Sequence, residues 1–94
     1  MKYIPSREEI KLFQAILLLK TERECKNFLR DLLTAAELKE FANRFKVAKM
    51  LAKKIDYKKI EKETGMSSTT IARISKWLNS GMDGYKLVIK RLSK

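Results

Sequence analysis

Short hydroxyl side chains and long cations cluster in one stretch of the sequence, at spacings that suit recognition of a polyanion. Consecutive hydroxyls can start a helix and, with its free N–H groups, hold phosphate oxygens. Cations one or two turns further on can reach phosphates or the edges of bases. The candidate residues are Lys58, Lys59, Ser67, Ser68, Thr69, Thr70, Arg73 and Lys76. We expect Thr69 and Arg73 to influence base preference, and Lys58 and Lys59 to reach phosphate or the edge of a groove.

The apolar residues around these side chains have the spacing of a helix-turn-helix. Two short helices that cross steeply need a turn residue that tolerates positive φ, and Gly65 supplies it. The small core between the two helices would be sealed by Ile60, Met66, Ile71 and Ile74. The hydroxyls and cations are then left on the outer face of the second helix, as in a helix that reads the major groove of DNA. Glu61 departs from the pattern, because the residue at this position is usually small.

The same inventory argues against catalysis and metal binding. The chain has no histidine and one cysteine, Cys25, and no nucleophile has a positioned base. We therefore expect a protein that is not an enzyme and has no metal site and no cofactor. Cys25 lies on an apolar stripe, which favours a buried, unreactive thiol. A single cysteine cannot form an internal disulfide, as suits a reducing cytosol.

Positive charge is concentrated in the C-terminal part of the chain. The 94 residues contain 22 Lys and Arg against 11 Asp and Glu, a formal net charge of +11. Residues 1–38 carry +1 of this charge and residues 39–94 carry +10, which indicates that one end faces a polyanion. The longest strictly apolar run, residues 15–19, is too short to span a membrane, and the N-terminus does not resemble a signal peptide. We expect a cytoplasmic, nucleoid-associated protein without membrane contact.

The elements that must position these residues are helices, and the sequence marks where they begin. Three capping boxes start at Ser6, Thr21 and Thr34, each with a glutamate three residues later. Asp56 and Ser67 are expected to cap two further helices, and no strand pattern occurs. The predicted helices are 7–20, 22–33, 35–53, 57–64 and 68–79, and a short final helix lined by Tyr85, Val88, Ile89 and Leu92. The fold class is therefore all-α, with about six short helices.

The N-terminal helices carry more apolar surface than one short chain usually hides. The first is apolar around most of its circumference, which points to burial between subunits. The next two each carry an apolar stripe: Cys25, Phe28, Leu29, Leu32 and Leu33 on the second, and Leu38, Phe41, Ala42, Phe45, Ala48 and Leu51 on the third. We expect an intertwined or closely packed homodimer. The predicted organisation is a single domain, 1–94, with dimerisation helices in 1–53, the helix-turn-helix in 54–79, and a C-terminal turn and short helix in 80–94.

Several segments resemble the Trp repressor superfamily. They are residues 33–37 (Leu-Thr-Ala-Ala-Glu), residues 44–48 (Arg-Phe-Lys-Val-Ala) and residues 63–73, which hold the predicted turn. Residues 78–85 look more specifically like the YerC/YecD branch. The resemblance covers about residues 24–92. It implies an all-helical, intertwined dimer with one helix-turn-helix per subunit that acts as a transcriptional regulator, and Lys58 matches a position that contacts DNA.

The resemblance also implies where a ligand would lie. In the repressor proper, tryptophan binds between two arginines that correspond to Arg44 and Arg73, near a threonine that corresponds to Thr70. Ile74 stands where the repressor has a glycine, and Trp77 stands where it has a serine. A branched side chain and an indole would fill such a cleft, and the lost hydroxyl would leave a ligand amine without a partner. We hypothesise that Ile74 or Trp77 occupies the space and that L-tryptophan is not a corepressor; another small-molecule effector is left open.

Other interpretations stay open at this level. Trp77 could be a plain core residue, and Arg44 and Arg73 could be ion-pair or phosphate-binding residues. The leading hypothesis is a dimeric regulator that binds double-stranded DNA at specific sequences. The main alternative is a basic module that binds nucleic acid or an acidic partner without reading sequence. RNA recognition usually needs exposed aromatic platforms, in which the basic face is poor, and a DNA recombinase would need catalytic groups that nothing upstream supplies.

Overall fold

The computed structural model describes residues 2–93, which form six α-helices and contain no β-strand. The helices are α1 (Arg7–Ile16), α2 (Glu22–Leu32), α3 (Ala35–Ala52), α4 (Tyr57–Thr64), α5 (Ser68–Ser80) and α6 (Gly84–Leu92). The predicted all-α fold is confirmed. Within residues 2–93, no helix combines the length and the apolar character that crossing a membrane requires. The chain divides into two compact units, Met1–Leu38 and Lys39–Lys94, which we call the N-terminal unit and the C-terminal unit.

Reciprocal side-chain caps start two helices of the N-terminal unit. The Ser6 Oγ accepts from the Glu9 N–H at 3.1 Å, and the Glu9 carboxylate accepts from the Ser6 N–H at 2.8 Å. Thr34 and Glu37 make the same exchange at the start of α3, at 3.1 and 2.9 Å. These two predicted capping boxes are confirmed. Because the Ser6 N–H and the Tyr3 hydroxyl donate to it, the pKa of the Glu9 carboxyl lies below its ordinary value.

The third predicted capping box, at the start of α2, is wrong in one half. Thr21 accepts from the Glu24 N–H at 3.1 Å, but the Glu24 carboxylate accepts from the N–H of Lys20 at 2.8 Å. The prediction that α1 reaches residue 20 is also wrong, because the helix ends at Ile16. Beyond it the N–H groups of residues 18 and 19 bond three residues back, which tightens the chain out of the α-helix. The other helix ends agree with the prediction within one residue.

The N-terminal unit contains no buried residue within its described part, residues 2–38. Its exposed large apolar side chains are Tyr3, Ile4, Ile10, Phe13, Ile16, Leu17, Leu18 and Leu32. Cys25 is half-buried rather than buried as predicted, because the apolar stripe of α2 is not fully covered. These helices therefore have defined ends but no core of their own.

The C-terminal unit is built around an apolar core. The buried residues of its central cluster are Val47, Ala48, Met50, Ile60, Ile71 and Ile74, and Leu51, Ile55, Met66, Tyr85 and Ile89 pack against them. Leu78 is buried as well. The predicted stripe of α3 is therefore wrong in part, since Val47 and Met50 enter the core while Phe41 is 48% exposed. A helix buries one side, and the core partners from α4 and α5 decide which side of α3 that is. On α6, Val88 and Leu92 are exposed although the sequence pattern places them with the packed residues.

The junction between α3 and α4 contains a lysine in a left-handed conformation. Lys54 has φ 65°, in the region that glycine favours. It ends α3 in a Schellman arrangement, in which the N–H of Ile55 donates to the C=O of Met50 at 3.1 Å. The N–H of Lys54 donates to the C=O of Leu51 at 3.0 Å. The turn directs Ile55 onto the core just before α4 begins, at a backbone cost of about 1–2 kcal/mol for a residue other than glycine.

Candidate nucleic-acid interface

Helices α4 and α5 and the turn between them form a helix-turn-helix. Asp56 caps α4 by accepting from the N–H of Lys59 at 2.9 Å, and Ser67 caps α5 by accepting from the N–H of Thr70 at 3.3 Å. Gly65 closes α4 with φ 73°, as predicted, and its N–H donates back into α4 at 2.8 Å. A Cβ at Gly65 would meet no atom within 4 Å. The turn therefore requires the backbone angle of glycine and not its small size.

The turn is held by its own hydrogen bonds and by the core beneath it. The Thr64 hydroxyl donates to the C=O of Ile60 at 2.7 Å and accepts from the N–H of Met66 at 3.2 Å. The predicted sealing residues are buried or, for Met66, half-buried: Ile60, Met66, Ile71 and Ile74. Glu61 is half-buried next to Ile60 and does not prevent α4 from packing against α5.

Helix α5 has one buried side and one exposed side. Ile71, Ile74 and Leu78 are buried, at the three- and four-residue spacing of a single helix face. The predicted contact residues of α5 and its cap lie outside that face: Ser67, Ser68, Thr69, Arg73 and Lys76 are exposed, and Thr70 is half-buried. Lys58 and Lys59 are exposed in the first turn of α4. The structure thus leaves the polar and basic residues of the motif accessible to a partner.

Within residues 2–93, the exposed cations of α4 and α5 form no ion pair. The ion pairs of the C-terminal unit in that range are Glu40–Arg44 and Asp83–Lys86. Neither involves a residue of the helix-turn-helix. With +10 of formal charge on residues 39–94, the motif lies in a strongly positive unit whose charges are available for phosphates.

A cleft of about 340 Å³ opens between α3 and the turn of the helix-turn-helix. Its lining consists of Glu40, Asn43, Arg44, Thr64, Gly65, Met66, Ser67 and Thr70. Of the five residues that the resemblance places around a ligand, Arg44 and Thr70 lie here. Arg73 is exposed on α5 and does not line the cleft, and Ile74 is fully buried in the core. In a single chain this cleft is therefore lined by two of the five residues.

Trp77 is not a core residue, contrary to the alternative interpretation of its position. It is 41% exposed, because it lies at the edge of the side of α5 that buries Ile74 and Leu78. The centre of its ring lies 6.0 Å from the guanidinium carbon of Arg44, within the range of a cation–π interaction. Trp77 therefore contacts α3 at the surface of the unit.

Arg44 has neighbours that sequence reasoning did not assign. Its Nη2 lies 2.5 Å from the Oε2 of Glu40, and its guanidinium carbon lies 5.8 Å from the centre of the Phe41 ring. Arg44 therefore forms an ion pair within its own helix while it also lines the cleft. The four-residue spacing of Glu40 and Arg44 on one helix was a signal for this pair. No sequence signal indicated the contact with Trp77, since it joins two helices.

Comparison with known proteins agrees with this architecture. Residues 8–93 match the family model of the Trp repressor protein. The uncharacterized protein YerC of Bacillus subtilis (strain 168) is 42% identical over 88 residues, which cover 94% of this chain and 85% of YerC. The crystal structure of a TrpR-like protein from Eubacterium eligens ATCC 27750 matches with a TM-score of 0.89 at 42% identity, covering 94% of this chain and 91% of that chain. A candidate Trp repressor from Staphylococcus aureus matches with a TM-score of 0.88 at 36% identity, covering 95% and 89% of the two chains.

The helical fold and the motif of α4 and α5 define a helix-turn-helix protein. The chain belongs to the Trp repressor family, and within it to the YerC-like branch.

Proposed function

We propose that this protein is a dimeric transcriptional regulator that binds double-stranded DNA at specific sequences. The observation that carries the proposal is the two-sided α5, which buries Ile71 and Ile74 and exposes Ser68, Thr69 and Arg73. Such a helix can enter the major groove while its buried side stays on the core of its own unit. Membership of the Trp repressor family supports the same function. The protein would act by binding and not as an enzyme, at the nucleoid in the cytoplasm.

The proposed contact residues have two different roles. Phosphate contacts from Lys58, Lys59 and the hydroxyls at the start of α5 would orient the protein without reading sequence. Loss of one such lysine should weaken binding to all duplexes and reduce the salt slope by about one unit. Thr69 and Arg73 would contact base edges, and loss of a good base contact should change sequence preference by about 1–3 kcal/mol. Lys76 lies one turn beyond Arg73 and extends the same exposed side.

We propose that a second copy of the chain packs against the exposed apolar side chains of the N-terminal helices. No residue of 2–38 is buried, and the exposed apolar side chains of α1 and α2 would lose contact with water in a homodimer. In this proposal residues 1–53 mediate dimerisation, residues 54–79 bind DNA, and residues 80–94 support them. Two-fold symmetry then requires an inverted repeat with half-sites about 34 Å apart.

The regulator is proposed to work without a cofactor and without L-tryptophan as a corepressor, and another small-molecule effector is left open. Ile74 belongs to the core, and Arg44 already contacts Glu40 and Trp77. A ligand that used Arg44 would have to displace these contacts. Tight, stereospecific binding of L-tryptophan to the purified protein, measured by calorimetry, would contradict this part of the proposal.

Selection of bound sequences from a random duplex library tests the function. The full-length protein is used at about 0.15 M salt without ligand, because non-specific attraction is strongly screened there. We expect enrichment of an inverted repeat, an altered half-site preference for Arg73→Ala, and uniformly weaker binding for Lys58→Ala. A library that stays unenriched both without and with added amino acids would contradict the proposal.

The second candidate function is binding to nucleic acid or to an acidic partner without reading sequence. It is favoured by exposed lysines that lie outside the helix-turn-helix, three on α3 and one directly after it: Lys39, Lys46, Lys49 and Lys53. This function predicts affinity that falls steeply with salt and is the same for unrelated duplexes. The unenriched library described above is its expected result.

A further inference from the structure

The Arg44 side chain connects α3 to α5. It is half-buried, and its guanidinium carbon lies 6.0 Å from the ring centre of Trp77, which belongs to α5. On its own helix the guanidinium carbon lies 5.8 Å from the ring centre of Phe41. Both distances fall within about 6 Å, where a cation is attracted to the face of an aromatic ring. One guanidinium therefore contacts an aromatic ring of α3 and an aromatic ring of α5, the proposed DNA-reading helix.

Glu40 contacts that guanidinium from the preceding turn of α3. Its Oε2 lies 2.5 Å from Nη2 of Arg44, and both residues line the cleft beside the start of α5. A carboxylate at one edge of the planar guanidinium restricts the rotamers of the long arginine side chain. The cleft thus already contains an anion supplied by the chain itself.

We propose that Glu40 is a positioning residue that replaces an external anion: it holds Arg44 against Trp77 and so keeps α5 oriented for DNA without a ligand. The inference deepens the proposed function and rests on it. Glu40 touches neither DNA nor any reacting atom, and it acts through Arg44. Its contribution is to the population of the oriented state, because the pair is too exposed to add much stability: the side chains of Arg44 and Glu40 are 36% and 57% exposed.

The first test is the Glu40→Gln variant of the full chain on the selected duplex at constant ionic strength. The substitution removes a negative charge from a protein of net charge +11, so electrostatics alone would tighten DNA binding. We expect the opposite sign. An exposed four-residue pair shifts an equilibrium about twofold, and its two copies in a dimer shift it about fourfold, so affinity should fall about fourfold.

Glu22→Gln is the matched control for charge. Glu22 lies outside the proposed DNA-binding residues, is exposed on α2 and forms no ion pair within residues 2–93. This variant should bind the duplex as tightly as the parent protein or more tightly. If Glu40→Gln also binds more tightly, the proposal is wrong.

Fluorescence gives a readout that needs no DNA, because Trp77 is the only tryptophan of the chain. In Glu40→Gln the released Arg44 should leave the indole more accessible, so quenching by acrylamide should increase. Glu22→Gln should leave the quenching unchanged. Equal quenching in both variants would overturn the proposed role of Glu40 even if no preferred duplex were found. Failure of the role proposed for Glu40 is therefore distinguishable from failure of the proposed DNA-binding function.

A double-mutant cycle separates positioning from a general structural effect. In an Arg44→Leu background, Glu40→Gln should no longer weaken DNA binding, because the group through which it acts is gone. A fourfold loss of affinity in both backgrounds would show that Glu40 acts without Arg44 and would contradict the proposal.

Thermal unfolding of each variant, followed by circular dichroism, identifies any variant that fails to fold. In that case Glu40→Asp, which keeps the carboxylate, takes its place and should retain most of the parent affinity.

Discussion

The N-terminal and the C-terminal units are both helical, but only the C-terminal unit has a core. Residues 2–38 contain two complete capping boxes and bury no side chain. The C-terminal unit buries Ile60, Ile71 and Ile74 completely. Caps and apolar periodicity therefore define where the helices lie, but they do not make the helices stable. Stability comes from packing of the apolar faces, since isolated helices as short as α1 are marginal in water. All candidate site residues belong to the unit that has the core.

The largest expected effect is the loss of a core side chain from the C-terminal unit. Ile71→Ala should lower the free energy of unfolding by about 2–5 kcal/mol, because the methyl groups leave a cavity that the surroundings only partly fill. Urea denaturation followed by circular dichroism measures it. Ile4→Ala makes the same deletion at a side chain that is 77% exposed, and we expect a loss below about 1 kcal/mol. Equal losses of unfolding free energy in the two variants would show that the two units do not differ in how much their apolar side chains stabilise them.

The next effect concerns how the N-terminal unit is stabilised. Phe13 is 44% exposed on α1, and Phe13→Asp would place a charge in the proposed dimer interface. We expect self-association to weaken at least about tenfold, because a buried unpaired carboxylate is costly. Sedimentation across a range of concentrations measures this, with Gln14→Asp, at an exposed neighbour, as the control. A protein that is monomeric throughout, or a Phe13→Asp variant that associates normally, would contradict the proposed dimer.

Gly65 and Lys54 of the C-terminal unit both have left-handed backbone angles, and substitutions at these two positions should change stability in opposite directions by an intermediate amount. Gly65→Ala should destabilise the helix-turn-helix by about 1–2 kcal/mol, since a Cβ disfavours φ 73° whatever space surrounds it. Lys54→Gly should stabilise the protein, by about 1 kcal/mol at most because glycine also gains freedom in the unfolded chain. Thermal unfolding of both variants should shift in opposite directions. Shifts of the same sign would show that backbone angle is not what these positions have in common.

The smallest effect lies at the first cap of the N-terminal unit and depends on pH. The folded state lowers the pKa of Glu9, chiefly through the Ser6 N–H, so its stabilisation is complete above the ordinary glutamate pKa. That stabilisation is lost as the pH falls through the lowered value. Glu9→Gln should therefore lose less stability between neutral and acidic pH than the parent protein. Glu8→Gln, the neighbouring substitution, should follow the parent curve, and a shared change in both variants would rule out the capping bond as the cause.

Much of the local structure could be predicted because its causes lie within a few residues. Ser6, Thr34 and Ser67 cap helices through bonds to residues three positions away, and Gly65 takes the positive φ that its turn needs. The buried side of α5 also followed from helical spacing. The end of α1 could not be predicted from the sequence, because no capping residue or proline marks it.

The candidate site was harder to predict because it joins helices. Arg44 and Thr70 lie on one cleft as the resemblance implied, but Arg73 and Ile74 do not line it. Trp77 is half-exposed against Arg44 and is not in the core. A helical pattern gives the relative angles of side chains on one helix, and it does not give which neighbouring helix each side meets.

The helix starts, the left-handed turn at Gly65 and the concentration of charge on residues 39–94 follow from the amino-acid sequence alone, because each depends on composition or on bonds within about one helical turn. Which side of α3 is buried, and the contact between Arg44 and Trp77, follow only from the tertiary structure. Those contacts depend on how α3 and α5 are brought together by a shared core. Packing among residues far apart in the chain sets that arrangement.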